Sequence, residues 1–239
     1  KTSINIVDGS GTKTDPYRLE GDNDINLNGT KLNTRYSGEY IRFGNDENNL
    51  YRIISHETED LTKIISAEPL KNGGTFITRA FGSNSTFSST NTMGTFLNTT
   101  YLNPSNNYLT SEQVNMIEDD TTWYLGTVGR AASYRLAKYM AASGDTLTTK
   151  VAQAKVGLLR TGELLSGQFD ENANNTSYRI LTPFSSNYVR AIYQDGQGNG
   201  GSGTPTLRIG VRPVMNLKQN IIITSGEGTK ENPFTIDLA

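Results

Sequence analysis

An α+β fold is expected for this 239-residue chain, on three observations. Short alternating runs rich in β-branched residues gather in the first third and again towards the end, and such runs read as strands. Helical spacing, a helix-start motif and an Ala-rich stretch gather between them. No low-complexity linker divides the interior, which favours one β-rich, helical, β-rich unit over two domains. The expected boundaries are a terminal hairpin motif at 1–20 and a domain over 21–239.

Taken in order, Ile4–Leu19 reads as two short strands around the Gly9-Ser-Gly11 turn. Residues 20–36 are polar and Asn-rich, with weak alternation at Ile25, Leu27 and Leu32. Gly38–Gly44, Leu50–Ser55 and Leu61–Ser66 alternate clearly and predict a meander. Residues 71–92 lack periodicity and are expected to form a long loop. Phe96, Leu97, Tyr101 and Leu102 have helix-like spacing, and Thr110-Ser-Glu-Gln113 fits a capping box. Trp123–Leu125 reads as a short buried strand, and Ala131–Ala142 is the best helix former by propensity. Lys155–Leu159 reads as a strand and Thr161–Leu165 as a short helix. Tyr178–Thr182 and Tyr188–Tyr193 predict strands around a turn at Pro183-Phe-Ser-Ser. A Gly-rich flexible loop follows at 195–204. In Arg208–Leu217, apolar Ile209, Val211, Val214 and Leu217 are interspersed with polar Arg208, Arg212 and Asn216, and Gly210 and Pro213 mark a bend or an edge. Ile53, Ile64, Trp123, Leu158, Ile180 and Val211 are the expected shared core.

The chain also repeats itself. Ile4–Leu19 aligns without gaps on Ile221–Ile236, with Gly9, Gly11, Thr12, Lys13 and Pro16 matching Gly226, Gly228, Thr229, Lys230 and Pro233. Tyr17 falls on Phe234 and Leu19 on Ile236, so the motif recurs after 217 positions, the length of a domain. Recurrence at a fixed spacing is a sign of tandem modules. Residues 4–19 are therefore expected either to close a preceding module or to form the entry hairpin of this one. In either case the two hairpins should look alike, and the last strand should lie beside an early one within 38–66.

Composition removes several classes of function. There is no Cys, so neither disulfides nor thiol chemistry is available. Net charge is −2 with no Lys/Arg cluster, which gives no footprint for nucleic acid. No apolar run reaches the 18 or so residues of a spanning helix, so no membrane insertion is expected. Abundant Asn, Thr, Ser, Gly and Tyr suit a turn-rich extracellular surface. The start at Lys1, inside a strand-like motif, reads as a mature fragment or a trimmed piece.

An ordered series of segments carries a family resemblance. It runs through Glu39–Gly44, Tyr51–Ile54, Phe96–Asn98, Thr122–Leu125, Val156–Leu159, Glu163–Leu165, Ile180–Pro183, Gly210-Val-Arg-Pro-Val214 and Gly226-Glu-Gly-Thr229. Together these resemble the C-type-lectin-like modules of Gram-positive surface and pilus-associated proteins, over roughly residues 38–238. The resemblance implies a mixed sheet in which early and late strands pair, short flanking helices and terminal β-hairpins. It does not imply sugar binding, since one fold serves many binding tasks. The closing segment also resembles the fold group of formylglycine-generating enzymes, whose activity relies on cysteines that this chain lacks.

No catalytic constellation emerges. His56 is the sole histidine, expected as an exposed turn residue, and Gly-x-Ser-x-Gly, His-Glu-x-x-His and phosphate-loop motifs are absent. No cofactor is expected. A structural calcium is the nearest candidate, from the turn oxygens of Asp8, Ser10, Thr12 and Asp15, or of Asn45, Asp46 and Glu47. The expected ligand-binding residues are Tyr188, Arg190, Tyr193, Asp195 and Asn199, on a face made by 71–92 and 184–205. They offer stacking rings, a charge of each sign and an amide. The expected function is a non-enzymatic adhesion module, secreted and displayed on a bacterial cell surface. Its partners would be a host or environmental glycan or protein, and neighbouring modules of the same parent protein. The alternative is a structural pilus or spacer module without a ligand, in which intramolecular Lys–Asn links are conceivable.

Overall fold

The computed structural model describes residues 6–12, 15, 17–19, 27–56, 60–125, 151–166, 176–185, 187–194 and 203–239. The helix expected over Ala131–Ala142, and the loop expected at 195–204 as far as residue 202, lie outside them. The described residues are mixed α and β, mostly strands in several sheets with few short helices.

The first strands, β1 (Ile6–Asp8) and β2 (Arg18–Leu19), pair with each other as a two-stranded sheet. A single 3₁₀ turn, Leu32–Thr34, buries Leu32. The expected meander follows as β3 (Tyr40–Arg42), β4 (Leu50–Ser55) and β5 (Thr62–Ser66), all antiparallel. The stretch 71–92 departs from the expected open loop. It holds three short strands, β6 (Lys71–Asn72), β7 (Thr75–Phe76) and β8 (Thr78–Arg79), and buries Ile77, Phe81 and Phe87. Apolar residues spaced too widely for either period still reach the core when the backbone turns between them. Asn91 caps α1 (Thr92–Thr95), which runs on into a π turn over Phe96–Thr100. The capping box forms as predicted, Thr110 and Gln113 bonding reciprocally at the start of α2 (Ser111–Met116).

Next come β9 (Thr121–Tyr124), paired with β10 (Val151–Ala154), then β11 (Val156–Gly157) and α3 (Thr161–Ser166). The turn expected at Pro183 lies within a longer strand, β12 (Tyr178–Ser185). It pairs with β13 (Tyr188–Ile192), and the register slips on either side of Pro183. Proline has no N–H to give a ladder, so the strand continues past it with a bulge. The stretch 208–217 is broken into β14 (Ile209–Gly210) and β15 (Val214–Leu217), followed by β16 (Ile221–Ser225) and β17 (Thr235–Leu238).

Early and late strands meet as expected. The main sheet has the order β11-β15-β5-β4-β3, and all its pairs are antiparallel. β15 thus joins β5 across 150 residues, Val214 facing Ile65 and Asn216 facing Lys63. The mixed character expected of the sheet appears in the second one, β13-β12-β14-β8, through a parallel contact of Tyr178 with Gly210. The expected core residues Ile53, Ile64, Trp123, Leu158, Ile180 and Val211 are all buried in one cluster. Trp123 donates its indole N–H to the Ala154 carbonyl (2.8 Å) and lies against Gly157, where a Cβ would meet the ring at 2.6 Å.

The polar members of 208–217 are not uniformly outward. Arg212 is buried, donating to the carbonyls of Ser66 (2.9 Å) and Ala67 (3.0 Å) with its guanidinium over the Tyr178 ring. Asn216 is buried beside Thr121. A strand covered on both faces needs such anchored polar groups where its alternation would otherwise point to water.

The two hairpins match in detail. Ile6 pairs with Leu19 and Asp8 with Arg18, while Ile223 pairs with Ile236 and Ser225 with Thr235, with one irregularity at the same place in each. The turn bonds repeat as well. Ser10 N–H donates to the Asp15 carbonyl as Glu227 N–H does to that of Asn232, and Thr12 Oγ1 accepts from Asp15 N–H as Thr229 Oγ1 does from Asn232 N–H. Gly11 and Gly228 share a φ of +76°, a left-handed conformation that glycine adopts without strain.

Candidate functional site

The two stretches expected to build a binding face do come together. β8 pairs with β14, and the amides of Phe81 and Gly82 both donate to the Pro205 carbonyl. Arg179, fully buried on β12, fastens this region from below. Its guanidinium donates to the carbonyls of Val189 (2.9 Å), Thr204 (2.7 Å) and Leu207 (3.2 Å). Burial lowers its pKa to about 10.

Of the expected ligand residues, Tyr188 is exposed (40%) and Tyr193 is half-buried. Arg190 is buried with its guanidinium over the Phe184 ring (5.1 Å), so it serves the packing of the β12–β13 hairpin and does not point to solvent. Outward and inward positions alternate along a strand, and Val189 and Arg190 are both buried because this sheet is covered on two sides. Asp195 and Asn199 lie outside the described residues.

A second candidate was missed by sequence reasoning. A cleft of about 580 Å³ opens beside β9 and the β15–β16 connection. It is lined by Glu118, Asp120, Thr121, Thr122 and Tyr124, by Asn216, Lys218, Gln219 and Asn220, and by Leu61. Carboxylates accept, amides and Lys donate, and hydroxyls do both. The cleft joins residues about 100 positions apart, and each contributing run is too short and polar to stand out alone. Just outside it, Asp119 bonds to Lys155 (2.7 Å) and lies 3.5 Å from Lys218. The hydrogen bond and charge of Lys155, helped by Lys218, hold the Asp119 carboxyl below its ordinary range.

A buried ion pair joins Lys63 on β5 with Glu163 at the start of α3. The Glu163 carboxylate also accepts from Arg160 N–H (2.9 Å). Burial pushes the Glu163 pKa up, but the charges of Lys63 and Arg160 outweigh it and hold the group below its ordinary value. Lys63 faces Asn216 across the β5–β15 ladder, a Lys–Asn juxtaposition of the kind the spacer alternative invoked. In the structure Lys63 gives its ammonium to Glu163, and Asn216 gives its amide to Thr121 Oγ1 (3.3 Å).

His56 is not the exposed turn residue expected. It is half-buried, one ring nitrogen bonded to the Arg35 carbonyl (2.8 Å) and the other to Thr62 Oγ1 (3.2 Å). The oxygen-rich turns considered for calcium are occupied with backbone. Asp15 accepts from Ser10 N–H (2.9 Å), Asn45 caps the Asp46–Asn48 turn, and Glu47 accepts from the amides of Gly73 and Gly74. No family model matches this chain, and neither curated proteins nor solved structures give a significant match.

Proposed function

We propose that this chain is a non-catalytic extracellular binding module of a bacterial surface protein, built on a C-type-lectin-like scaffold, and that it holds a hydroxyl-rich ligand such as a glycan. The cleft beside β9 carries this reading. Its lining mixes carboxylates, amides and hydroxyls with the Tyr124 ring, a set suited to sugar hydroxyls and one sugar face. His56 is engaged in structural hydrogen bonds on both nitrogens, which favours a binding role over acid–base work.

A glycan array probed with the whole chain tests it, followed by calorimetric titration of any hit. Asp120→Ala with Asn220→Ala should abolish binding without lowering the melting temperature, since both residues are exposed. His56→Ala should leave binding intact. The Tyr188, Tyr193 and Asp195 triple change to Ala is the comparison arm. Loss of binding there, with the cleft variant unaffected, would move the ligand to the β12–β13 face. An array with no hit would favour the spacer reading, which the repeated hairpin supports.

A further inference from the structure

The closing hairpin β16–β17 is docked on the main body by backbone bonds and by a buried face. Tyr40 N–H donates to the Gly228 carbonyl and Arg42 N–H to that of Phe234, and Phe234 N–H returns a bond to the Tyr40 carbonyl (2.8, 2.8 and 2.9 Å). Ile223 and Thr30 bond at the far end. The residues this hairpin buries are Ile221, Ile223, Gly228, Pro233, Phe234 and Ile236.

The first hairpin has the same register and turn bonds, yet Ile6 is 55% exposed and Tyr17 54%. At the six positions buried in the second hairpin, the sequence of the first holds Ile4, Ile6, Gly11, Pro16, Tyr17 and Leu19. All are apolar or small. Changes of character fall elsewhere, as in Asp8 for Ser225, Ser10 for Glu227, Thr14 for Glu231 and Arg18 for Thr235, where the second hairpin is exposed. Gly11 leaves room for the Tyr17 ring as Gly228 does for Phe234, a Cβ meeting either ring at 2.5 Å. A hairpin meant for solvent has no need of this pattern.

We propose that Ile6–Leu19 is a closing hairpin for another module of the same kind, placed N-terminal to this one and presenting an acceptor edge like Thr30 and Tyr40–Arg42. This chain's own acceptor is already taken by β16–β17, so the occupant must be a second module. The spacing fits a tandem. Joining residue 220 of one copy to residue 4 of the next puts the first hairpin where β16–β17 would begin.

That fusion, residues 1–220 followed by 4–239, is the test, with the whole closed chain as its second half. Each copy holds one Trp, buried at Trp123, so a folded copy contributes one unit of near-ultraviolet circular dichroism. The proposal expects twice the signal of the single chain. A fusion carrying Ile6→Ser and Tyr17→Ser at the junction should give the signal of one folded copy. A third fusion, carrying Tyr17→Phe, removes the hydroxyl that the buried Phe234 lacks. A doubled signal in either unbroken fusion, with the serine variant at one unit, supports the proposal. If neither exceeds the serine variant, it is overturned.

Discussion

Ile6 and Ile223 occupy the same place in two hairpins of one register, yet the first is 55% exposed and the second fully buried. Tyr17 and Phe234 differ in the same way. Their turns share two hydrogen bonds and a left-handed glycine, so hairpin shape here follows from the local code of Gly, Thr and Pro. Burial follows from what lies alongside. For β16–β17 that is the edge strand β3, and β1–β2 has no such ladder among the described residues. The contrast separates two contributions to stability that are usually entangled, the turn and the docked face.

The comparison breaks most directly at the paired aromatics. Phe234→Ala should destabilise the chain by about 3–5 kcal/mol, the range for a buried Phe. Tyr17→Ala should change stability by less than about 0.5 kcal/mol, as for an exposed residue. Equal losses in urea titrations of the two variants would show that β1–β2 is docked after all.

The buried Lys63–Glu163 ion pair gives a similarly large effect. Glu163→Gln strands the buried Lys63 charge and should cost about 3–5 kcal/mol. It also carries a pH signature. Because folding lowers the Glu163 pKa below its ordinary value of 4.5, its contribution is complete above that pH and is lost as pH falls through the folded value. The parent should lose melting temperature below about pH 4.5, and the variant should lose less there.

The glycines sharpen the contrast. A Cβ at Gly228 meets the immobile Phe234 ring, whereas one at Gly11 meets the exposed Tyr17 ring, which can swing away. Gly228→Ala should cost about 2–4 kcal/mol from left-handed strain and overpacking together, and Gly11→Ala, strained by the same φ but spared the overpacking, about 1–2 kcal/mol. The smallest effect is expected at His56→Ala. Two lost hydrogen bonds at a half-buried ring should cost about 1 kcal/mol, measurable by denaturant titration.

Much of the architecture was legible because its determinants are local. The meander was written in alternation at 38–66, the start of α2 in its capping box, and the twin hairpins in their shared glycines. Burial of Trp123 and Ile180 followed from their apolar runs. What escaped depends on distant partners. Arg190 looks like a ligand-binding cation until Phe184 is placed beneath it, and Arg212 like a surface residue until Ser66 and Ala67 claim its guanidinium. Nothing in the sequence marked this role for Asn98, yet its amide bonds Val156 through both N–H and carbonyl and so finishes the edge of β11. The polar cleft escaped for the same reason, being assembled from 118–124 and 216–220.

The position of β15 has a consequence for how the chain comes to be folded. β5 is buried along its whole length, and one of its two neighbours arrives only with Val214–Leu217. During synthesis from the N-terminus, β3, β4 and β5 can assemble while some 150 further residues are still to be made. Throughout that interval β5 offers Ile64 and Ile65 beside an unpaired edge, the kind of strand that recruits another chain. Such a long-range closure makes folding slow by topology. Yield in a cell should therefore respond to synthesis rate and chaperone supply more than to equilibrium stability, with aggregates seeded through the Thr62–Ser66 strand.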